Sequence, residues 1–313
     1  MIRFLKHSEI DNKKWDKAID ESANTLIYAY SWYLDIVNPN WNALVEDDYV
    51  SIMPLTGNKK YGIEYLFPPY FAQQLGVFSK NKLSKEMVES FLKAIPSQYK
   101  FIETNLNTRN TFEISDFTIK KNINIELALN SSYEALRKNF SEDTKRNIKK
   151  AAKYELKLQK GISPAELIKI FRKNIGKKIN NLADKNYEVL LSLINTCIAK
   201  GYADVWGAYS EEKLCAGVVW LTKGNRSIFL FSATDPQAKK TGAMFYLIDK
   251  FIQEQTGSEG VHSDSKMILD FEGSNLPGLA RFYKGFGSEE YVYLQVRKNN
   301  LPKVIKWLKE LKK

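Results

Sequence analysis

The segment Ser232–Leu247, SATDPQAKKTGAMFYL, indicates a strand that ends in a loop and is followed by a helix starting at Thr241 or Gly242. The first turn of a helix carries unpaired backbone N–H groups and a partial positive charge, so it suits a pyrophosphate or carboxylate. Two lysines in the loop add positive charge. A plain strand-to-helix turn with exposed lysines explains the same pattern. We predict an anion-binding turn formed by Gln237, Lys239, Lys240, Thr241, Gly242 and Ala243.

A second segment that could carry catalytic residues is Ile268–Gly287, ILDFEGSNLPGLARFYKGFG. Asp270 and Glu272 stand two residues apart, so they share one face at the end of a predicted strand. Tyr283 and Lys284 follow at the end of the next predicted helix. Carboxylates beside a tyrosine and a lysine could move protons to or from an amine, and we predict these four as catalytic. The alternative is that the carboxylates cap a turn and the tyrosine packs in the core.

Around these segments, each half of the chain is predicted to contain helices first, then antiparallel strands, and then alternating helices and strands. This order favours an α+β, or mixed α/β, fold over a doubly wound parallel sheet. A chain of 313 residues suggests two domains, which we place at residues 1–130 and 131–313. Gly57-Asn58 is predicted as a hairpin turn, and Phe112–Leu129 as a hairpin that turns at residues 120–122.

An aromatic loop, Phe67–Phe78 (FPPYFAQQLGVF), resembles loops that line binding grooves. Aromatic faces and carboxamides together can hold a polar substrate. The same residues could form a rigid turn packed on its own sheet. We predict that this loop contacts substrate through Pro69, Tyr70, Gln73 and Gln74.

The composition excludes several classes of protein. The chain has two cysteines, Cys197 and Cys215, and two histidines, His7 and His262, so a Cys/His zinc site is close to excluded. A histidine-dependent triad is disfavoured for the same reason, and we predict no metal. The sequence contains neither a signal peptide nor an apolar run of about 20 residues, so we expect a cytoplasmic protein without a transmembrane segment.

The net charge of +11 favours polyanionic partners: nucleic acid, a phosphorylated cofactor or an anionic membrane surface. Basic residues are concentrated in Arg137–Lys160, where nine lysines and arginines face three acidic residues. The alternative is a solvated, lysine-rich surface without a partner. Lys303–Leu311 is predicted as a basic helix that closes the chain.

The segment Ala216–Phe286 resembles a GNAT acyltransferase domain. Gln237-Ala-Lys-Lys-Thr-Gly242 is similar to the Q/R-x-x-G-x-G/A acyl-CoA loop of that superfamily, with Lys240 at the position of the middle glycine. Ala280-Arg-Phe-Tyr283, followed by Gly285-Phe286, is similar to the ending of GNAT domains. The resemblance implies that the loop binds an acyl-CoA co-substrate, with no cofactor bound permanently, and that Tyr283 protonates the leaving thiolate.

The whole chain resembles the FemABX-like branch, which has two GNAT-like domains in tandem. Ser141–Leu156, SEDTKRNIKKAAKYEL, is similar to the basic helix that opens its second domain, and Phe67–Phe78 to its substrate-side loop. Phe282–Gly287 is similar to its F-K-x-x-F-G corner, where a lysine stabilises the transferring acyl group; Lys284 lies one residue beyond that position. The resemblance implies a degenerate N-terminal domain and a C-terminal acyltransferase domain, each with a mostly antiparallel, twisted sheet.

The resemblance implies transfer of an acyl or aminoacyl group from acyl-CoA or aminoacyl-tRNA to a primary amine, which a small molecule or a cell-envelope precursor would carry. In such domains a pair of splayed strands orients the donor, and we expect the strands holding Val218 and Phe229 to diverge near Gly242. The degenerate loop and the basic helix favour aminoacyl-tRNA, whereas the retained Gly242 favours a thioester. The alternative is an inactive tandem that binds RNA or an anionic polymer through residues 137–160 and 303–313.

Overall fold

A computed structural model describes residues 1–302 except 114, 175, 177–181, 258–266 and 274. The predicted C-terminal helix and His262 lie outside the described residues. The chain packs into two compact units, one of Met1–Asn122 with the segment that begins at Val292, and one of Ile123–Tyr291. The division after residue 130 that the sequence suggested stays a prediction about domains.

The first unit contains three helices and two groups of strands among its described residues. Strands β1 to β3 and β6 pair in the order β1-β2-β3-β6, and β4, β5, β7 and β14 pair in that order. Its core buries Trp15, Trp41 and Phe91 completely. The elements are β1 (Ile2–Leu5), α1 (Asn12–Asp20), α2 (Ser31–Val37), β2 (Asn42–Glu46), β3 (Ser51–Leu55), β4 (Gly57–Lys60), β5 (Ile63–Leu66), β6 (Phe78–Ser79), α3 (Lys85–Lys93), β7 (Tyr99–Asn105) and β14 (Glu289–Asn299, from Val292).

The second unit is built on strands that pair in the order β8-β13-β12-β11-β10-β9. All of these pairs are antiparallel except that of β12 with β13, which is parallel. The elements are β8 (Thr118–Ala128, from Ile123), α4 (Tyr133–Lys138), α5 (Glu142–Ala152), β9 (Lys157–Lys160), α6 (Pro164–Lys173), α7 (Asp184–Ala199), β10 (Ala203–Ser210), β11 (Lys213–Lys223), β12 (Arg226–Thr234), α8 (Ala238–Thr241), α9 (Ala243–Gly257), β13 (Ile268–Asp270) and α10 (Pro277–Lys284).

Helices cover both faces of this second sheet. Leu167 of α6 lies against Gly217, whereas Phe251 of α9 stacks on Trp220 with ring centroids 3.8 Å apart. Gly217 and Trp220 are three residues apart on β11, so they belong to opposite faces. The core on the α9 side also contains Phe286 at the end of α10.

Side-chain caps mark the start of five of the ten α-helices among the described residues. The side chain of Ser141 accepts a hydrogen bond from the Thr144 N–H at the start of α5, and Ser163 does the same for Glu166 in α6. Such N-caps stabilise a helix by about 1 kcal/mol. The predicted mixed α/β class with mostly antiparallel sheets is confirmed by the order and direction of the strands.

Two of the predicted hairpins are wrong. Gly57-Asn58 is not a turn but the start of β4, where a Cβ on Gly57 would lie 2.5 Å from the carbonyl oxygen of Tyr65. The turn falls at Tyr61 and Gly62, which both have positive φ. Residues 118–128 form one strand, because none of residues 120–122 has the positive φ that a tight hairpin turn requires.

Candidate active site

The parallel strands β12 and β13 stay paired for only three residues. Their pairing runs from Arg226–Ile268 to Ile228–Asp270, where β13 ends, while β12 continues to Thr234. From Phe229 onward, the edge of β12 that faced β13 has no partner strand among the described residues. We call this opening, between residues 229–234 and 271–273, the strand gap.

The backbone beyond β13 turns sharply to leave the sheet. Glu272 and Gly273 both have left-handed φ values, 56° and 59°. A Cβ on Gly273 would lie 2.2 Å from the carbonyl oxygen of Ile123, so only glycine fits against β8 at this point. The turn therefore keeps the chain away from the continuing β12 and holds the gap open at that end.

The strands that the sequence analysis expected to diverge do not do so. β11 and β12, which hold Val218 and Phe229, are paired along their whole length with one irregularity between Val219 and Trp220. The divergence lies one strand further, between β12 and β13. The expectation was wrong because the short β13 and the turn after it, rather than the helix start at Gly242, end the pairing.

Tyr283 lies where β12 and β13 part. Its ring stacks on Phe271 with centroids 4.8 Å apart and meets Phe229 edge-on at 5.8 Å. Phe229 and Phe271 are the first residues of the two segments beyond their last pair. Burial raises the pKa of the Tyr283 phenol well above its usual range, and the charge of Glu272 adds to the effect. The phenol therefore stays protonated near neutral pH.

Lys284 lies on a different side of α10 from Tyr283. Adjacent residues on a helix differ by about 100° in direction, and the Lys284 ammonium is 3.2 Å from Glu290 Oε1 near the surface. It lines a groove of about 840 Å³, together with Thr144, Phe245, Arg281 and Phe282. This groove lies along α5, α9 and α10.

The predicted anion-binding turn is preceded by an aspartate that occupies its first amides. Asp235 Oδ1 accepts hydrogen bonds from the N–H groups of Gln237 at 2.8 Å and Ala238 at 3.0 Å. The segment then coils into the single helical turn α8, Ala238–Thr241. The first N–H groups of this turn therefore already have a protein acceptor.

Three more amides of the turn, those of Lys240, Thr241 and Gly242, are also used internally. The N–H groups of Lys240 and Thr241 donate to the carbonyl oxygen of Gln237, and that of Gly242 donates to Ala238. Helix α9 begins at Ala243, and Gly242 is the left-handed residue before it. The N–H groups of Gln237, Ala238, Lys240, Thr241 and Gly242 thus have protein acceptors, and the anion-binding role of the turn stays a prediction. The side chains of Gln237, Lys239 and Lys240 are exposed, whereas Thr241, Gly242 and Ala243 are buried.

Gly242 is required by packing. It has φ 73°, and a Cβ there would lie 2.8 Å from the carbonyl oxygen of Asn147 in α5. We expect Gly242→Ala to lower the free energy of unfolding by about 2–4 kcal/mol, since left-handed strain adds to the overlap. Gly201→Ala is the matched control, because Gly201 has φ 74° and open space around it. Urea unfolding of both variants measures the difference, and equal losses would contradict the packing role.

The two predicted carboxylates are in different environments. Asp270 is buried at the end of β13, and its Oδ2 accepts a hydrogen bond from Arg226 Nη1 at 2.5 Å. Burial raises the pKa of Asp270, and the charge of Arg226 opposes that rise. Glu272 lies beyond the strand with positive φ, so the prediction that both share one strand face is wrong. The Glu272 N–H donates to Asp270 Oδ1 at 2.8 Å.

Three further polar residues of this region were missed by the sequence analysis. Arg226 Nη1 also donates to Glu126 Oε1 at 2.8 Å, and Asn124 Nδ2 donates to the same oxygen at 2.8 Å. Asn124 and Glu126 are buried and alternate with apolar residues in β8. The sequence pattern that could have indicated a buried polar site is the alternation of polar residues with apolar ones along β8.

In the first unit, the four residues of the aromatic loop that are predicted to contact substrate differ in their exposure. Tyr70 is exposed, Gln73 is half-buried, and Pro69 and Gln74 are buried. Gln74 Oε1 accepts a hydrogen bond from the Thr108 N–H at 3.0 Å, and Gln74 Nε2 donates to Gln73 Oε1 at 2.8 Å. The carboxamide of Gln74 thus holds the loop together.

Helix α5 carries a concentration of positive charge. Lys150 Nζ donates to the carbonyl oxygen of Lys239 at 3.3 Å, which links α5 to α8. Glu142 and Asp143 pair with Lys145 and Arg146, while the other cations of this surface have no ion pair among the described residues. We call this the basic surface; it comprises Arg137, Lys145, Arg146, Lys149, Lys150, Lys153, Lys239 and Lys240.

The described residues contain no group of three or more His, Cys, Asp or Glu side chains that could hold a metal ion. In the same residues, no helix combines the length and apolar character needed to cross a bilayer.

Comparison with known proteins finds a family model that matches part of the chain and solved structures that share the fold of the whole chain. Residues 138–263 match the family model described as an acetyltransferase (GNAT) domain. No curated protein matches the sequence. The family match supports acyl transfer as the general chemistry.

Solved structures similar to this chain share its fold at low sequence identity. The crystal structure of FemX superposes with a TM-score of 0.62 at 11% identity, covering 93% of this chain and 96% of FemX. A Bacteroides thetaiotaomicron protein of unknown function has a TM-score of 0.62 at 10% identity, covering 95% and 99%. L-PGS from Bacillus licheniformis has a TM-score of 0.55 at 10% identity, covering 95% of both chains. Residues 138–263 thus match a GNAT domain model, and the chain as a whole shares the fold of FemX.

Proposed function

We propose that this protein transfers an acyl or aminoacyl group from an activated ester to a primary amine, and that the reaction takes place at the strand gap. The observation that carries the proposal is the position of Tyr283, a protonated phenol between Phe229 and Phe271 where the strands part. The open edge of β12 beyond Ile228 offers backbone N–H groups to polarise a carbonyl. GNAT domains use a diffusible acyl co-substrate, so no permanently bound cofactor is needed.

The proposed reaction is a direct displacement. The amine nitrogen attacks the donor carbonyl carbon, a C–N bond forms, and the C–O or C–S bond to the leaving group breaks. One proton leaves the nitrogen for a carboxylate, directly or through water, with Asp270 and Glu272 as the proposed bases. Tyr283 gives a proton to the departing oxygen or sulfur. Lys284 is proposed to act on the donor from the groove that it lines.

The internal bonding of the 237–242 turn favours aminoacyl-tRNA over acyl-CoA as the donor. Its N–H groups at residues 237, 238, 240, 241 and 242 already have acceptors, so they offer little to a pyrophosphate. The packing of Gly242 on α5 gives that glycine a role that needs no thioester. The basic surface beside the turn suits a polyanionic backbone.

The test is a transfer assay with pure protein, a diamine acceptor and two donors, aminoacyl-tRNA and acetyl-CoA. We expect product from the aminoacyl-tRNA and none from acetyl-CoA. Product from acetyl-CoA alone would overturn the choice of donor. Failure of both donors over a panel of amines would overturn the proposed function.

Neutralising part of the basic surface tests how the donor is held. We expect the triple variant Lys149→Gln, Lys153→Gln, Lys240→Gln to bind tRNA more weakly. The slope of log affinity against log salt should fall by about 2–3, because each lost phosphate contact removes about 0.7–0.9. Filter binding at several salt concentrations measures this slope.

The matched control replaces three exposed lysines outside the basic surface, Lys13, Lys120 and Lys121, which leaves the net charge equal to that of the first triple variant. We expect this control to keep the wild-type slope. Equal slopes in the two triple variants would show that overall charge, rather than this surface, attracts the nucleic acid.

The basic surface also favours a second candidate function, a non-catalytic protein that binds RNA or an anionic polymer. That function needs neither Tyr283 nor the strand gap, so it predicts tight tRNA binding without transfer to any amine. A cell-envelope precursor as acceptor and a cytoplasmic location, both implied by the resemblance, stay proposals.

A further inference from the structure

The hairpin of β4 and β5 ends in a turn whose first residue is unfavourable there. Lys60 pairs with Ile63, so the turn consists of two residues, Tyr61 and Gly62. Their φ values are 50° and 77°, and both are left-handed. Two-residue turns of this type strongly prefer Asn, Asp or Gly in the first position and Gly in the second. Gly62 meets this preference, whereas Tyr61 does not.

The side chain of Tyr61 is almost fully exposed. Its exposed fraction is 92%, and the Lys60 ammonium lies 5.4 Å from the ring centroid. Tyr49 also has a left-handed φ, but it is buried and its hydroxyl accepts a hydrogen bond from the Asp11 N–H at 2.8 Å. Burial and that hydrogen bond compensate for the strain at Tyr49. The strain at Tyr61 has no such compensation among the described residues, which indicates a contact outside the chain.

The surroundings of Tyr61 are positively charged. Lys59 and Lys60 are exposed, and neither forms an ion pair within the part of the chain that the structure describes. Strands β5 and β7 are parallel, so β7 begins at the same end of the sheet and adds the exposed Lys100. Glu64 is the one acidic residue of the hairpin, residues 57–66. This end of the sheet therefore attracts anions.

The hairpin tip, which we define as Lys59–Gly62, is accessible to a large partner. β4 is the outermost strand in its order, next to β5. A Cβ on Gly62 would meet no atom within 4 Å. Successive strand residues point to opposite faces, so Lys59 and Lys60 flank the projecting turn on both sides. A flat surface can therefore contact the Tyr61 ring and both ammonium groups together.

We propose that the hairpin tip docks on the surface of an anionic lipid bilayer, with the Tyr61 ring among the headgroups and Lys59 and Lys60 against the lipid phosphates. A tyrosine ring is apolar with one polar end, which suits the boundary between headgroups and acyl chains. Each exposed lysine strengthens partitioning to anionic lipids about fivefold. The tip has no arginine, the residue that binds nucleic-acid phosphates through two parallel hydrogen bonds, so the observations favour a bilayer over RNA. This inference is independent of the proposed transfer reaction.

The first test is sedimentation of the whole protein with vesicles of phosphatidylcholine, either alone or mixed equally with phosphatidylglycerol. We expect the wild-type protein to bind the anionic vesicles, and the double variant Lys59→Gln, Lys60→Gln to partition at least about tenfold more weakly. The double variant Lys13→Gln, Lys120→Gln replaces two other exposed lysines of the first unit at the same net charge. It should stay within about twofold of the wild-type value. Equal losses in the two double variants would overturn the inference, because total charge would then govern binding.

Tyr61→Asn separates docking from folding. Asparagine tolerates the left-handed conformation better than tyrosine, so the melting temperature should stay the same or rise. Vesicle binding should fall at least about threefold, since the interfacial ring is lost, and Tyr61→Trp should keep it. A melting temperature that falls while vesicle binding is unchanged would give Tyr61 a structural role and overturn the inference.

A fluorescent label locates the contact on the protein. Both native cysteines, Cys197 and Cys215, are buried, so Tyr61→Cys offers an exposed thiol for an environment-sensitive dye. We expect the emission of the dye to shift to shorter wavelength with the anionic vesicles. An unshifted dye on a protein that still sediments with those vesicles would overturn the inference, since another surface would then bind them. A shift with a single-stranded RNA and none with vesicles would also overturn it and make the tip an RNA contact.

Discussion

Tyr283→Phe is expected to lower kcat for transfer at least 100-fold while the protein stays folded. A positioned proton donor contributes about 10²–10⁴ to a rate, and only the hydroxyl is removed. The ring that stacks on Phe271 and meets Phe229 remains. Because burial raises the pKa of this phenol well above its usual range, the wild-type rate should not fall from Tyr283 ionisation below about pH 10.

The measurement is single-turnover transfer at saturating acceptor, with circular dichroism to confirm folding. Tyr154→Phe, at a tyrosine that is 45% exposed, is the matched control and should keep wild-type activity. Lys284→Gln separates the two adjacent candidates, since Lys284 lines the groove whereas Tyr283 contacts Phe229 and Phe271. A variant with Phe at position 283 that keeps full activity, beside an inactive Lys284→Gln, would refute the role given to Tyr283.

Arg226→Met is expected to lower the free energy of unfolding by about 3–5 kcal/mol at pH 7. The substitution leaves Asp270 and Glu126 buried without their cation, and breaking a buried ion pair on one side has a cost of this size. Urea unfolding followed by tryptophan fluorescence measures the loss. Arg146→Met, at an exposed arginine paired with Asp143, should cost less than about 1 kcal/mol.

The loss caused by Arg226→Met should shrink as the pH falls. Burial raises the pKa of Asp270 and Arg226 lowers it, so removing Arg226 raises it further. A carboxyl whose pKa is raised in the folded state favours folding below its unfolded pKa, and this contribution is lost as pH rises through the folded pKa. The variant therefore recovers relative stability from pH 7 toward pH 4. A loss that is independent of pH, or within 1 kcal/mol of wild type, would contradict this account.

Much of the fold could be predicted because its signals are local. Ser141 and Ser163 cap helices at the positions where their hydroxyls can reach the next free N–H. The resemblance of the α10 segment to GNAT endings pointed to Tyr283, and the structure places that residue at the strand gap. Where a prediction used spacing alone, as for Asp270 and Glu272, the left-handed turn at Glu272 altered the outcome.

The buried polar cluster of Asn124, Glu126, Arg226 and Asp270 could not be predicted, because strand order and register bring its members together. Arg226 lies 100 residues from Glu126 and 44 from Asp270 along the chain. No local pattern at Arg226 indicates that its neighbours will be acidic. Gly242 is ambiguous for a related reason, since a glycine that admits a neighbouring helix looks the same in sequence as one that admits a phosphate.

The aromatic rings around the strand gap link the reaction site to the interior of its unit. Tyr283 stacks on Phe271, which in turn stacks on Phe286 at 6.1 Å, and Phe286 contacts Phe140 edge-on at 5.4 Å. The orientation of the Tyr283 phenol therefore depends on the packing of Phe271, Phe286 and Phe140. A substitution that changes the volume of one of these rings would tilt Tyr283 together with its neighbours. Homologous proteins that keep this proton donor are therefore expected to substitute these rings together.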